Sequence, residues 1–365
     1  MNQNPLKLYV GTWYRSPISH IPLLYPFWGV VRKSHKAYVY DAMEKYQFSK
    51  DDFTLVEDIA DTDYVLVPHN YRKLMMADPN KFAAIAEDAR VAGKPLLVDA
   101  SGDIEWPVTV PNAVVLRLSQ YRYAVAQNEI TIPFLADDLL ETYYGRQLQV
   151  RKKRNRPSVG FAGWAHFSFE QRIKTYIKEL PITLASLIDR KRQAEHKGLY
   201  FRERALRALK GSVRIESHIL ERNSYSGHAV TMQGTFADTR REFVETLHDS
   251  DYALVVRGDA NASVRFYEAL SLGRIPLFVD TECVLPLEDN IPYREFCVFV
   301  NHTDIQCIGD ILADFHAQIR TEKFEDMQRK ARAAYDQFLR IDVFSKQLAE
   351  ELREHIGKVS TSVHE

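Results

Sequence analysis

Short, nearly continuous apolar runs alternate along this chain with segments whose apolar positions recur at helical spacing. KLYVGTW (7–13), KAYVY (36–40), DYVLVP (63–68), KPLLVDA (94–100) and AVVLRL (113–118) form the first series of runs. Runs this short, apolar at nearly every position, predict strands buried on both faces, as in a parallel sheet. Between the third and fourth lies DPNKFAAIAEDARVAG (78–93), with Asp78 placed to cap a helix, Pro79 in its first turn and Gly93 past its end. The alternation is β-α-β and predicts an α/β fold.

GRQLQVRKKRNRPSVG (145–160) interrupts it with six basic residues and a proline. That composition reads as a solvated linker between domains, with contact to anionic lipid headgroups as the alternative. The pattern then restarts. SVGFAG (158–163), SDYALVV (250–256), RIPLFVD (274–280) and FCVFV (296–300) predict strands, FEQRIKTYIKEL (169–180) and YFRERALRALKGS (200–212) predict helices, and a helical stretch runs from Asp304 to Ile356. The expected organisation is one domain over 1–150, a second over 151–340, and a terminal helix over 341–365.

Length agrees, since 365 residues exceed what one core usually fills. A formal net charge of −1, with aromatic residues scattered rather than interleaved with basic ones, argues against nucleic acid as a partner. Cys283, Cys297 and Cys307 lack the spacing of a metal site or a disulfide framework, which suits a reducing compartment. No apolar run reaches the roughly 20 residues of a membrane span, and MNQNPLK is no signal sequence. The expectation is a cytoplasmic protein, at most peripheral at a membrane.

The chemistry gathers in RGDANASVRFYEALSLGRIPLFVD (257–280). A strand feeds a turn, and the turn opens a helix that stops at Gly273 before the next strand. A helix start offers free N–H groups and partial positive charge to an anion. Ser263 stands at that start, where its hydroxyl can cap the helix or meet a phosphate oxygen. Arg257 and Arg265 flank it, and guanidinium forks match phosphate bidentately. Glu268 lies about 9 Å further along the helix axis, within reach of a ribose attached to that phosphate. Arg265 and Glu268 are also an i,i+3 pair, so an ordinary ion pair on a solvated face is the competing interpretation. Neither a G-x-G-x-x-G fingerprint nor a P-loop occurs.

These residues resemble a known family. LVVRGDANASVRFYEALSLGRIPLFVDTECVLPLEDNIPYREFCVFV (254–300) is similar in order and spacing to the signature region of the exostosin family of glycosyltransferases, and KAYVYDAMEKYQF, DTDYVLVPHNY and SVGFAG are weaker echoes of it. The resemblance implies a GT-B fold: two Rossmann-like α/β domains facing across a cleft, the acceptor bound by the N-terminal one and the nucleotide sugar by the C-terminal one. The final helix is then expected to cross back to the first domain. It also implies donor binding by Arg257, Gly258, Ser263, Arg265 and Glu268. The donor is a nucleoside-diphosphate sugar, UDP-linked by resemblance, with no further cofactor and no metal, and the acceptor a glycan or glycolipid of a surface polysaccharide. Members are mostly inverting. The position where a second glutamate of a retaining enzyme would stand is Ala260, with Asp259 off by one.

Inversion needs a base at a strand end of the first domain. Asp103, His69 and Asp99 are the candidates, Asp103 first, with a turn cap as the competing interpretation of Asp99 and a satisfied loop histidine as that of His69. In the polar stretch RNSYSGHAVTMQGTF (222–236), Asn223 is a further candidate donor contact, beside Arg222, Tyr225 and His228; Trp164, His166 and Phe167 follow another strand. Two alternatives stay open: a non-catalytic sugar-nucleotide-binding partner of an active transferase, or another GT-B enzyme such as a nucleotide-sugar epimerase.

Overall fold

The computed structural model describes residues 4–13, 18–32, 37–104, 106–165, 169–222 and 236–362. They divide into two compact units. The first comprises Met1–Gln120, Ala124–Leu135 and Gln337–Glu365, and the second Tyr121–Tyr123 and Ala136–Asp336.

The first unit is built on β1 (Leu6–Tyr9), β2 (Phe53–Val56), β3 (Tyr64–Leu66), β4 (Leu96–Asp99), β5 (Ala113–Arg117) and β6 (Glu129–Thr131). These pair in parallel in the order β2-β1-β3-β4-β5-β6. The second is built on β7 (Ser158–Trp164), β8 (Glu216–Arg222), β9 (Tyr252–Val255), β10 (Ile275–Asp280) and β11 (Val298–Asn301), parallel in the order β8-β7-β9-β10-β11. Numbered within each unit, the first five strands of both run 2-1-3-4-5. This doubly wound order reverses between the first and third strands, and a crevice for ligands opens at the carboxyl ends of those two.

Burial explains which strands the pattern revealed. β3, β4, β5 and β9 are buried at every position, so each reads as an unbroken apolar run. β8 is an edge strand with the polar sequence ESHILER and partly exposed side chains, and nothing in its composition distinguishes it from a surface helix.

In the first unit the helices are α1 (Tyr25–Trp28), α2 (Ala37–Lys45), α3 (Tyr71–Ala77), α4 (Pro79–Val91) and, from the chain's end, α12 (Ile341–Ser362). The second contains α5 (Leu139–Tyr144), α6 (Phe169–Ile188), α7 (Gly198–Gly211), α8 (Phe236–His248), α9 (Val264–Ser271), α10 (Ile308–Gln318) and α11 (Thr321–Ala334). α4 has the ends its sequence predicts: Asp78 accepts from the Lys81 N–H at 3.0 Å, Pro79 opens the helix, and Gly93 takes φ +64°. α12 packs on the first sheet's unit through buried Phe344, Leu348 and Leu352, and the Tyr64 hydroxyl donates to the Leu352 carbonyl at 2.8 Å.

Two expectations are corrected. KAYVY is not a strand: from Ala37 the chain is helical, and the helix formers Ala42, Met43, Glu44 and Lys45 prolong the run beyond the five residues that suggested β structure. Asp41 and Glu44, one turn apart, both bond Arg32, at 3.1 and 2.6 Å, which suits only a helix. The basic stretch after Gly145 is not simply solvated either. Arg151 and Arg154 hold the fully buried Asp251 at 2.8 and 3.2 Å, and the Ser158 N–H donates to it at 2.9 Å.

Burial alone would raise the Asp251 carboxyl, but the Arg151 and Ser158 hydrogen bonds and the Arg151 charge together hold it below the usual carboxylate range. A lowered folded-state value contributes stability that is complete above the unfolded value of about 4 and is lost as pH falls toward the folded one. The stability gap between wild type and Asp251→Asn should therefore narrow between about pH 6 and about pH 3 in urea titrations. A gap that stays constant would contradict this assignment.

Candidate functional site

The second unit's crevice, at the ends of β7 and β9, is occupied by the loop 257–263. Its turn closes by a bond from the Gly258 N–H to the Ala262 carbonyl at 3.0 Å. Buried Asn261 pins the loop to the end of β10, donating to the Thr281 carbonyl at 3.1 Å and accepting from the Thr281 hydroxyl at 2.6 Å. Behind it, Gly198 opens α7. A Cβ there would lie 2.2 Å from the carbonyl oxygens of both Arg257 and Gly258, so only glycine lets α7 abut the loop so closely.

Arg257 is buried and committed within the protein. Its guanidinium donates to the Tyr121 hydroxyl at 2.5 Å, the Ala194 carbonyl at 2.7 Å and the Asp259 carbonyl at 3.0 Å. It therefore braces the loop and adds positive charge beneath it, rather than presenting an open fork. Gly258 is roomier: an added Cβ would meet nothing nearer than 3.9 Å.

Ser263 takes extended backbone angles at the N-cap of α9, yet its hydroxyl makes no capping bond. The first N–H groups of α9 and this hydroxyl are thus presented together at the helix start. Arg265 stacks over the Phe161 ring at 4.3 Å and donates to the Ala162 carbonyl at 2.8 Å. Gly163 makes room for it, since a Cβ there would stand 2.9 Å from the guanidinium.

Glu268 does not pair with Arg265, so the solvated i,i+3 pair is not formed. The Glu268 side chain is buried, and one oxygen, Oε1, accepts from Arg240 of α8 at 2.7 Å. Its carboxylate makes no other hydrogen bond among the described residues. Asp137 lies close by, where burial, with Glu268 and Asp138 adding to it, pushes its carboxyl above the usual range against the opposing Thr142 hydrogen bond and Arg240 charge. Sequence reasoning missed Arg240, Asp137 and Tyr121, because each comes to Glu268 or Arg257 from a distant segment and none stands in a motif.

Two residues before Gly198, His196 lines a cavity of about 360 Å³, together with Leu187 at the end of α6, Arg190, Tyr200, Arg204 and His302 among others. The His302 Nδ1 faces the Asp280 carbonyl at the end of β10, at 3.1 Å. Asn223, Tyr225, His228, His166 and Phe167 lie outside the described residues.

In the first unit the three candidate bases are in different situations. His69 stands after β3, fully buried, with both ring nitrogens at backbone carbonyls, Ser19 at 3.2 Å and Trp13 at 3.3 Å. Burial pushes its pKa down despite these carbonyls. Asp99 is a turn cap: Oδ1 accepts from the Ser101 N–H at 2.9 Å, the Ser101 hydroxyl at 2.6 Å and Asn70 at 3.1 Å. Its pKa is raised by burial, which outweighs those bonds. Asp103 is exposed in the loop that follows and, of the three, is the one open to an external hydroxyl.

Fold and site together define a class: tandem parallel α/β units, Rossmann-like, with a polar seat at the topological switch point of the second. Within that class, residues 165–315 of the second unit are similar to the family described as the Exostosin GT47 domain. Relatives include an Exostosin-1 homolog of Caenorhabditis elegans, 29% identical over 28% of this chain and 25% of that protein. A probable arabinosyltransferase ARAD1 of Arabidopsis thaliana is 29% identical over 26% of this chain and 21% of its own length. A probable glucuronosyltransferase GUT1 of Oryza sativa subsp. japonica is 30% identical over 24% and 21% respectively. The matches thus span about a quarter of these relatives. Among solved structures, TarM overlaps 87% of this chain and 57% of its own at 13% identity and a TM-score of 0.32.

Proposed function

We propose that the protein is a glycosyltransferase that moves a sugar from a nucleoside-diphosphate donor, uridine-linked by family resemblance, to a glycan or glycolipid acceptor in surface polysaccharide synthesis. The reaction is assigned as inverting and metal-independent. One observation carries the reading: an uncapped serine hydroxyl at the start of α9 and the Arg265 guanidinium at the Ala162 carbonyl near the end of β7 both lie within the stretch that is similar to the Exostosin GT47 domain.

In this reading the diphosphate sits on the start of α9. Charge grows on its leaving oxygen as the glycosidic bond breaks, and Arg265, Ser263 and the helix N–H groups meet that charge. Arg257 keeps the loop in place from beneath. The free oxygen of Glu268 takes the ribose hydroxyls, and the adjoining cavity, with Tyr200 in its wall, takes the base. The first unit is assigned the acceptor, with Asp103 receiving the proton of the attacking hydroxyl. Asn223 keeps its assignment as a donor contact.

Calorimetric titration with UDP and GDP, without metal, tests the seat. One diphosphate should bind, and Arg265→Ala should weaken it about ten- to hundredfold, as expected for losing one charge-assisted hydrogen bond worth about 1.5–3 kcal/mol. Failure of folded wild-type protein to bind either diphosphate would overturn the reading.

A further inference from the structure

α6 is amphipathic in the wrong sense for a helix that merely packs on its own domain. The side chains turned toward the protein are mostly polar, with Thr175, Glu179 and Ser186 buried and Ile182 and Ala185 partly so. The Glu179 carboxylate is used internally, accepting from the Lys197 N–H at 2.7 Å and paired with His196 at 2.9 Å. The apolar side chains are turned outward. Ile173, Tyr176, Ile177, Leu180, Leu184, Leu187 and Ile188 recur at three- and four-residue spacing, so they form one stripe, and each is between 46% and 93% exposed. A helix of 20 residues carries such a stripe over about 30 Å. Seven large apolar side chains in a continuous row exceed the scattered exposure that is ordinary on a soluble surface.

Charge identifies the occupant. Six basic residues, Arg172, Lys174, Lys178, Arg190, Lys191 and Arg192, lie between positions 170 and 192 against Glu170, Glu179 and Asp189. Glu179 is buried, and Arg172 is held by Glu203. Lys178 and Lys191 have no ion-pair partner among the described residues, while Arg190 also lines the cavity beside Tyr200. An apolar stripe bordered and ended by cations fits a surface that is apolar within and anionic at its face. No helix among the described residues is long and apolar enough to cross a membrane, so α6 would lie on the surface rather than pass through it.

We propose that α6 docks the second unit on an anionic lipid bilayer, with the stripe sunk to the acyl boundary and the basic residues at the phosphate level. The proposal goes beyond the donor reading and does not depend on it, because lipid binding is measured without nucleotide.

The test is co-sedimentation of the full chain with phosphatidylglycerol–phosphatidylcholine vesicles and with phosphatidylcholine alone. The anionic vesicles should bind on the order of tenfold more tightly, and the preference should shrink with added salt. Ile177→Ser, Leu184→Ser and Ile188→Ser combined should weaken binding by about tenfold or more, with an unchanged circular dichroism spectrum. Lys174→Glu with Lys178→Glu should weaken binding to the anionic vesicles selectively. Equal binding by wild type and the serine variant, or no binding by folded wild type, would overturn the proposal. So would a wild-type dimer in sedimentation analysis that the serine variant dissociates and that ignores vesicles; the stripe would then cover a second copy.

Discussion

Glu268→Gln is expected to leave the protein folded and to reduce affinity for the bound nucleoside diphosphate about two- to thirtyfold, with transfer falling at least as far. Gln keeps the shape of the side chain, and its carbonyl oxygen can still accept from Arg240, which stands 2.7 Å from Glu268 in the native protein. What disappears is the negative charge on the oxygen that no described residue uses. A hydrogen bond to a charged acceptor contributes about 1.5–3 kcal/mol, against about 1 kcal/mol for a neutral one, and the ribose hydroxyls would lose that difference. The purely structural interpretation predicts otherwise. If Glu268 exists only to balance the largely buried Arg240, neutralising it lowers the melting temperature and leaves affinity per folded molecule unchanged. Calorimetry and thermal melting on the same preparation separate the two, and the second pattern would remove Glu268 from the donor site.

The largest effect on stability is expected from Asp138→Ala. Asp138 is fully buried and holds Arg332 with both oxygens, at 2.6 and 2.8 Å, while capping α5 through the Glu141 N–H at 3.1 Å. Arg332 also bonds the Ser271 carbonyl at the end of α9 and Asp336 at 2.7 Å. Removing the carboxylate leaves a buried guanidinium with only part of its compensation, which costs about 3–5 kcal/mol, and the lost cap adds about 1 kcal/mol where the effects are independent. Asp138→Asn retains a cap and one acceptor and should cost less. Urea unfolding of the three proteins checks the order; a loss below about 1 kcal/mol for the alanine variant would contradict it. Because Ser271 closes α9, the same variant should also loosen the helix that carries Ser263, Arg265 and Glu268.

The parts of the site that lie within one run of chain were legible in advance. Ser263, Arg265 and Glu268 share a loop and one short helix, and the strand before, the glycine after and the polar helix start can all be read as spacing. Arg257 was legible as a residue but not in its use: its position after β9 suggested a phosphate fork, and only the approach of Tyr121 and Ala194 turned it into a brace. Asp99 was legible both as a base and as a cap of its own turn; the structure shows the capping bonds to Ser101 and Asn70, which depend on where α3 begins beside β4. Arg240 had no local signal at all. Its partner is 28 residues away along the chain, on another helix, and ion pairs over such a separation leave no periodicity.

Local chemistry therefore determined the repeated β-α-β pattern, the caps of α4, the helix start at Ser263 and the family resemblance of residues 254–300. Each depends on the propensity, capping or spacing of residues within a turn or two of one another. Tertiary structure alone decided the parallel order 2-1-3-4-5 in both units, the placement of the loop at the switch point of the second, the burial of Asp251 among the basic residues, and the outward turn of the α6 stripe. These depend on which distant strands and helices share a core. The sequence of α6 shows that it is amphipathic, but which face meets the protein follows from the partners available, and here those partners receive the mostly polar one.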